Sequence, residues 1–399
     1  MSRMIAAAFA ALVFAGSASA HHGFGRFDRS REIQVEGTVT GIDFVNPHAY
    51  VYFDAVGPDG EVLEMRCEMR AATVLRRSGW SAEMFVDGTH IAVDGRPHRD
   101  DPASCYVETL ALGDDEILER YQQLGEAAAP AERADRPARL PSGVPNLAGD
   151  WAQEQYLMAR PPRGGGALVP KSLIEAVNAG EIAPEDVPES DWGARPVTYT
   201  EAGMAAAVER ANAPPGSAPR LRCEITSILF DWTFDGPINR ITQSEDTITI
   251  EYGRGLTRTV HMDMEDHPAT IVPSRGGHSI GRWDGDTLVV DTVGFEPGIL
   301  AGMAPIVSAT TIDDDAAGIE PATSAGPVTH SGELHVVERF TLDPETMALK
   351  RDYAAEDALY FADPYVGSAV VFPADAQFAV DQCKELAYEY ITPAEGEGQ

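Results

Sequence analysis

At 399 residues, with 30 Lys and Arg against 63 Asp and Glu and a formal net charge of -33, the chain is strongly acidic and long enough for two domains. Nucleic-acid backbones and anionic membrane surfaces demand a cationic face, so neither is expected as a partner. The acidic residues are spread along the sequence, which reads as a solvated, self-repelling surface.

Residues 1–20 combine Arg3, an apolar run from Met4 to Ala15 and the small-residue end Ala18-Ser19-Ala20, the pattern of a signal peptide too short to persist as a membrane span. Cleavage after Ala20 predicts a periplasmic or secreted protein that begins at His21, with no lipid or membrane anchor at this end. From Glu32 to Leu112 the chain reads as strands and turns. Gln34–Asp43 alternates, Ala49–Asp54 is rich in Tyr, Val and Phe, and the turn Gly57-Pro58-Asp59-Gly60 precedes Val62–Cys67. A short helix around Ala71–Arg77 and strands at Gly88–Gly95 and Cys105–Leu110 follow. Five strands with one helix between the third and fourth predict an OB-like small barrel over residues 21–120.

The composition shifts to Ala, Pro and Arg from Gly125 to Pro145, giving a linker over 121–145 and a second domain over 146–395. Helices are expected near Lys171–Ala179 and Thr200–Asn212, the latter with Thr200 as its N-cap. Beyond Cys223 the text is a series of hairpins. Glu245-Asp246, Asp284-Gly285-Asp286 and Asp343-Pro344-Glu345 each separate two strand-like runs. With Gly149-Asp150-Trp151 placed to plug one end, the expectation is a lipocalin-like antiparallel barrel, so the whole protein is read as mainly β with a few short helices. In an exported chain the four cysteines point to disulfides, and the domain division favours Cys67 with Cys105 and Cys223 with Cys383.

Residues 21–112 resemble a family of small secreted bacterial domains of unknown function. The motifs are His21-His22-Gly23-Phe24, Gly37-Thr38-Val39-Thr40, Asn46-Pro47-His48, Leu75–Trp80 and Gly95–Asp100. Residues 145–392 resemble a second uncharacterised exported family through Gly149-Asp150-Trp151, Arg222-Cys223-Glu224 and the run Gly277–Thr292. Asp263–Pro268 departs from it, lacking an Arg that the family tends to place before the His-Pro pair. Both resemblances imply fold and export without a reaction.

Three functional readings stay open. The first is binding of a small, partly apolar molecule inside the second barrel, with Arg258, Arg282, Tyr252 and Tyr353 as ligand-binding candidates. The second is cofactor-independent acid/base catalysis in the same cavity, a lyase, hydratase or isomerase step, by His278, Asp291 and Glu338. Alternation places His278, Ile280 and Arg282 on one strand face and Ser279 and Trp283 on the other, but does not say which face is inside. The third is copper or another divalent metal held by the His21 amine and imidazole with His48, and with His90 or His98 in reserve. Each has a structural counterpart: His48 can serve the loop that Pro47 fixes, and His278, Arg282 and Asp291 can form a salt-bridged corner. The letters Gly277-His278-Ser279-Ile280-Gly281 match a nucleophile elbow, but they run into a strand and not into a helix. Gly164-Gly165-Gly166 lacks the Lys-Ser/Thr of a phosphate loop.

Overall fold

Period-two alternation builds most of the molecule, seen in a computed structural model described over residues 26–57, 60–113, 116–125, 136–162, 166–187, 197–213, 217–302, 327–380 and 382–386. The first barrel consists of β1 (Ile33–Asp43), β2 (Tyr50–Val56), β3 (Val62–Glu68), the helix α1 (Ala72–Arg77), β4 (His90–Pro97), β5 (Ser104–Leu112) and the short β6 (Leu118–Glu119). Its order is β3-β2-β1-β4-β5-β6, and a parallel β3–β5 pairing closes the ring. This arrangement, with the helix after the third strand, is compatible with the expected OB-like barrel. Val39, Phe53, Met65, Ile91 and Leu110 fill its core. Cys67 and Cys105 are register partners across β3–β5 and are joined by a disulfide. At the β4–β5 irregularity a side chain on Gly95 would run into the Tyr106 carbonyl, so only glycine fits there.

The second barrel is larger. Between β7 (Gly149–Ala152) and its hairpins stand β8 (Tyr156–Ala159), β9 (Ala167–Pro170), α2 (Ile174–Ala179) and α3 (Glu201–Ala211). Thr200 caps α3 as expected, its hydroxyl accepting from the Gly203 amide at 3.1 Å. The hairpins follow as β10 (Ile238–Gln243), β11 (Thr247–Glu251), β12 (Thr257–His261), β13 (His278–Asp284), β14 (Thr287–Val293), β15 (Gly298–Ala301), β16 (Val328–His330), β17 (Leu334–Leu342), β18 (Leu349–Asp357) and β19 (Tyr365–Pro373). The closed order is β10-β11-β12-β13-β14-β17-β18-β19-β7, while β8–β9 and β15–β16 pair outside it. One feature corrects the antiparallel expectation: β12 and β13 are parallel. The 16 residues between them, 262–277, return the chain to the starting end of β12, a distance no two-residue turn covers.

Trp151, Trp232, Tyr252 and Phe340 are fully buried in one core cluster with Ile241, Val290, Val336 and Leu349. Trp151 donates its indole N–H to the Leu147 carbonyl at 2.9 Å, and the Arg136 guanidinium lies 4.3 Å from its ring centroid. Residues 225–234 bring Ile225, Ile228, Leu229 and Trp232 into the same cluster as a plug. Cys223 and Cys383 form the second disulfide. Cys383 also makes a parallel bridge to Asn46, so the end of the described chain lies along the first barrel. Arg77, at the end of α1, joins the barrels further by donating to Asp375 (2.8 Å), the Gly236 carbonyl (3.0 Å) and the Gln153 carbonyl (2.6 Å). Among the described residues no helix is long and apolar enough to cross a membrane.

Candidate functional site

The wall formed by β12, β13, β14 and β17 separates the residues proposed to act together. On β13 the buried positions are Ser279 and Gly281, so His278, Ile280 and Arg282 face outward. On β17 the buried series is Leu334, Val336, Glu338, Phe340 and Leu342. Glu338 is therefore inside the barrel, whereas His278 and Asp291 are on its outer surface, and the three cannot form one catalytic group. Arg282 is exposed on the same outer face, which removes it from any interior ligand site. Arg258 and Tyr252 are buried inside, and half-buried Tyr353 shares the inward face of β18 with Arg351.

Inside, Glu338 is flanked by two arginines. Arg258 donates to its Oε2 at 2.5 Å and Arg351 approaches its Oε1 at 3.4 Å. Arg258 also donates to the Ser279 and Thr292 hydroxyls, at 2.8 and 2.7 Å. Burial alone would lower the basicity of Arg258, but the Glu338 charge outweighs it and holds the guanidinium more firmly protonated than usual. Arg351 reaches the plug, donating to the Ile228 and Leu229 carbonyls at 2.9 and 3.0 Å, and the Tyr252 hydroxyl also donates to Ile228. Arg258 Nη1, Arg351 Nε and the Trp232 indole N–H remain buried without an acceptor among the described residues. The interior is thus rich in donors and occupied by large side chains.

Outside, a chain of hydrogen bonds runs across three elements. His267 and His335 each place Nε2 3.0 Å from Asp291 Oδ1, and His267 Nδ1 is 2.8 Å from His278 Nδ1. An ionised Asp291 accepts from both imidazoles, which fixes His267 as the Nε2–H tautomer with its Nδ1 lone pair toward His278. His261 stacks on His278 with ring centroids 5.1 Å apart. The hydrogen bond from His335 and then that from His267 hold the Asp291 carboxyl below its ordinary range, while the same bond raises His335. Partial burial and then the neighbouring imidazoles His267 and His261 lower His278. The sequence singles out His278 and Asp291 and not their hydrogen-bonded partners His267 and His335. His335 was legible as the residue diagonal to Asp291, given that Asp291 pairs with Val337; the place of His267 depends on the crossover.

A cleft of about 220 Å³ opens at the plug end. Ile228, Phe295, Leu300 and Leu334 supply apolar walls, Arg210, Arg222, Arg275, Glu224 and Glu296 supply charge, and the His330 imidazole stands beside them. Arg275 is fixed by donating to the Ile225 carbonyl at 2.7 Å and by pairing with Glu224. Ser217 Oγ, also on the lining, is buried without a partner among the described residues. Burial, with the charge of Arg210 acting in the same direction, lowers the His330 imidazole below its ordinary value. None of Arg258, Arg282, Tyr252 or Tyr353 lines this cleft.

In the first barrel, His48 Nδ1 stands 3.2 Å from buried Glu68. His98 Nδ1 accepts from the Asp100 and Asp101 amides, and His90 is exposed on β4. His21 and residues 1–20 lie outside the described residues. No curated protein matches the chain. Residues 10–106, spanning most of the first barrel, match a family of unknown function, DUF6152.

Proposed function

We propose that the protein is exported and binds a small, partly apolar anion in the cleft at the plugged end of the second barrel. The observation that carries this reading is the conjunction of Arg210, Arg222 and Arg275 around apolar walls in a chain of net charge -33. Elsewhere such a surface repels anions; here the local balance is reversed against two carboxylates, Glu224 and Glu296. At about 220 Å³ the cleft falls below the roughly 300–1,000 Å³ of drug-sized sites, which suits a small ligand. The apolar walls favour a hydrocarbon or aromatic body, and the arginines a carboxylate or similar head. The interior arginines are committed to Glu338 and the plug, so the ligand reading moves from the barrel's interior to its mouth.

The test is titration of the purified protein with short-chain and aromatic carboxylates and with the matched alcohols, followed by calorimetry. Carboxylates should bind and the alcohols should bind at least about tenfold more weakly, the difference that one charge-assisted contact of about 1.5–3 kcal/mol produces. Arg210→Met should abolish the discrimination without changing the melting temperature of the free protein. Equal binding of acids and alcohols, or an Arg210→Met protein with unaltered preference, would refute the anion reading.

A further inference from the structure

We propose, resting on the anion reading of the plug-end cleft, that this cleft selects a hydroxy acid, whose hydroxyl donates to His330 Nε2. His330 ends β16 and lines the cleft. Its Nδ1 lies 2.9 Å from the Ser331 carbonyl oxygen. A carbonyl only accepts, so Nδ1 holds the ring proton and the neutral imidazole carries its lone pair on Nε2. Among the described residues no donor stands within hydrogen-bonding distance of that lone pair.

The neighbours of Nε2 place this acceptor beside the groups that would hold the rest of the ligand. Gly298, the register partner of His330 on β15, also lines the cleft, and a Cβ there would stand 3.4 Å from Nε2. Glycine leaves that space to a ligand. Phe295, on the same lining, meets the His330 ring edge to face with centroids 6.1 Å apart, so an apolar wall adjoins the acceptor. On the other side α3, with Arg210 in its last turn, packs against β16. Burial is the main cause that lowers the His330 imidazole and the charge of Arg210 adds to it, so cation and acceptor are neighbours. A ligand entering here meets a guanidinium, an aromatic wall and a bare acceptor together. A simple carboxylate with an apolar tail satisfies the first two, but it displaces water from Nε2 without offering a donor in return. A hydroxyl on the carbon next to the carboxylate, or on the one after it, supplies that donor. An ether oxygen at the same place would set lone pair against lone pair.

The experiment titrates the purified full chain by calorimetry at about pH 8, above the ordinary imidazole range. The probes are hexanoate, the hydroxyhexanoates with the hydroxyl on the second or the third carbon, and the methyl ethers of both. At least one hydroxy acid should bind about fivefold or more tighter than hexanoate, the gain of one neutral hydrogen bond, and its methyl ether should bind no tighter than hexanoate. In His330→Phe, which keeps an aromatic ring and removes the acceptor, the hydroxy acid should lose that advantage. Nitrogen NMR of the labelled wild-type protein gives a reading that does not depend on any variant folding: the His330 Nε2 resonance should move when the hydroxy acid binds and stay in place with its methyl ether. Hexanoate binding with no gain from either hydroxyl, a gain that persists in His330→Phe, or an Nε2 resonance unmoved by a bound hydroxy acid would overturn this assignment and leave the anion reading standing. Failure of every acid to bind would overturn both.

Discussion

Glu338→Gln isolates the charge that holds the second barrel together. The substitution preserves volume and one acceptor but leaves Arg258 and Arg351, which are 2% and 1% exposed, as cations without a buried counter-charge. Three donors in this region already have no acceptor, so the surroundings cannot absorb the loss. Removing one partner of a buried pair costs about 3–5 kcal/mol. For a unit of 150–250 residues, at about 2–4 °C per kcal/mol, the melting temperature should fall by about 6–20 °C. Urea unfolding followed by tryptophan fluorescence reads the relevant region, because Trp151 and Trp232 are fully buried in the same core. The triple replacement Arg258→Met/Glu338→Leu/Arg351→Met removes every charge together and should lie much closer to wild type, or above it. If Glu338→Gln loses less than about 1 kcal/mol, as an exposed pair would, the interior is solvated and the reasoning fails.

His335 should titrate above an ordinary histidine in the EDTA-treated protein, read by NMR of its imidazole, and Asp291→Asn should return it toward the ordinary value. Because its folded pKa is raised, the stabilisation is complete below the unfolded pKa of about 6.5 and is lost as pH rises through the folded value; a His335 shift insensitive to Asp291→Asn would refute the pairing. Arg77→Met removes the donors that α1 sends to Asp375, Gly236 and Gln153, including a charge-assisted bond of about 1.5–3 kcal/mol. Calorimetry should then show the first barrel melting earlier and separately, and an unchanged trace would mean that this arginine does not couple the barrels.

Local chemistry was legible wherever it is written in neighbouring residues. The turns Glu245-Asp246, Asp284-Gly285-Asp286 and Asp343-Pro344-Glu345 join β10 to β11, β13 to β14 and β17 to β18, and both cysteine pairs form as the domain division favours. Strand faces were legible as alternation but not as inside or outside. On β13 the inward positions are Ser279 and Gly281, small residues that leave space for neighbours: a Cβ on Gly281 would stand 2.7 Å from Val260 Cγ1. The larger His278 and Ile280 therefore face outward, opposite to what hydrophobic weight suggests. The cleft could not be read in advance, since Arg210, Arg222, Arg275 and His330 come from separate parts of the chain and meet only after the plug is seated. The parallel β12–β13 pair was hidden for a related reason, because 262–277 carries no regular element that announces a crossover.

The return of residues 382–386 to Asn46 gives the molecule a defined order of assembly. The Cys67–Cys105 bridge closes a separation of 38 residues and needs nothing beyond β5, so its two cysteines are present together while most of the chain is still being made. The first barrel's contact with Cys383 waits for residues that follow β19, and the Cys223–Cys383 bridge closes a separation of 160. A chain cut short before Cys383 would keep its early, locally bridged barrel and leave Cys223 as a single unpaired thiol. That thiol is a chemical label for incomplete synthesis, open to any thiol-reactive reagent.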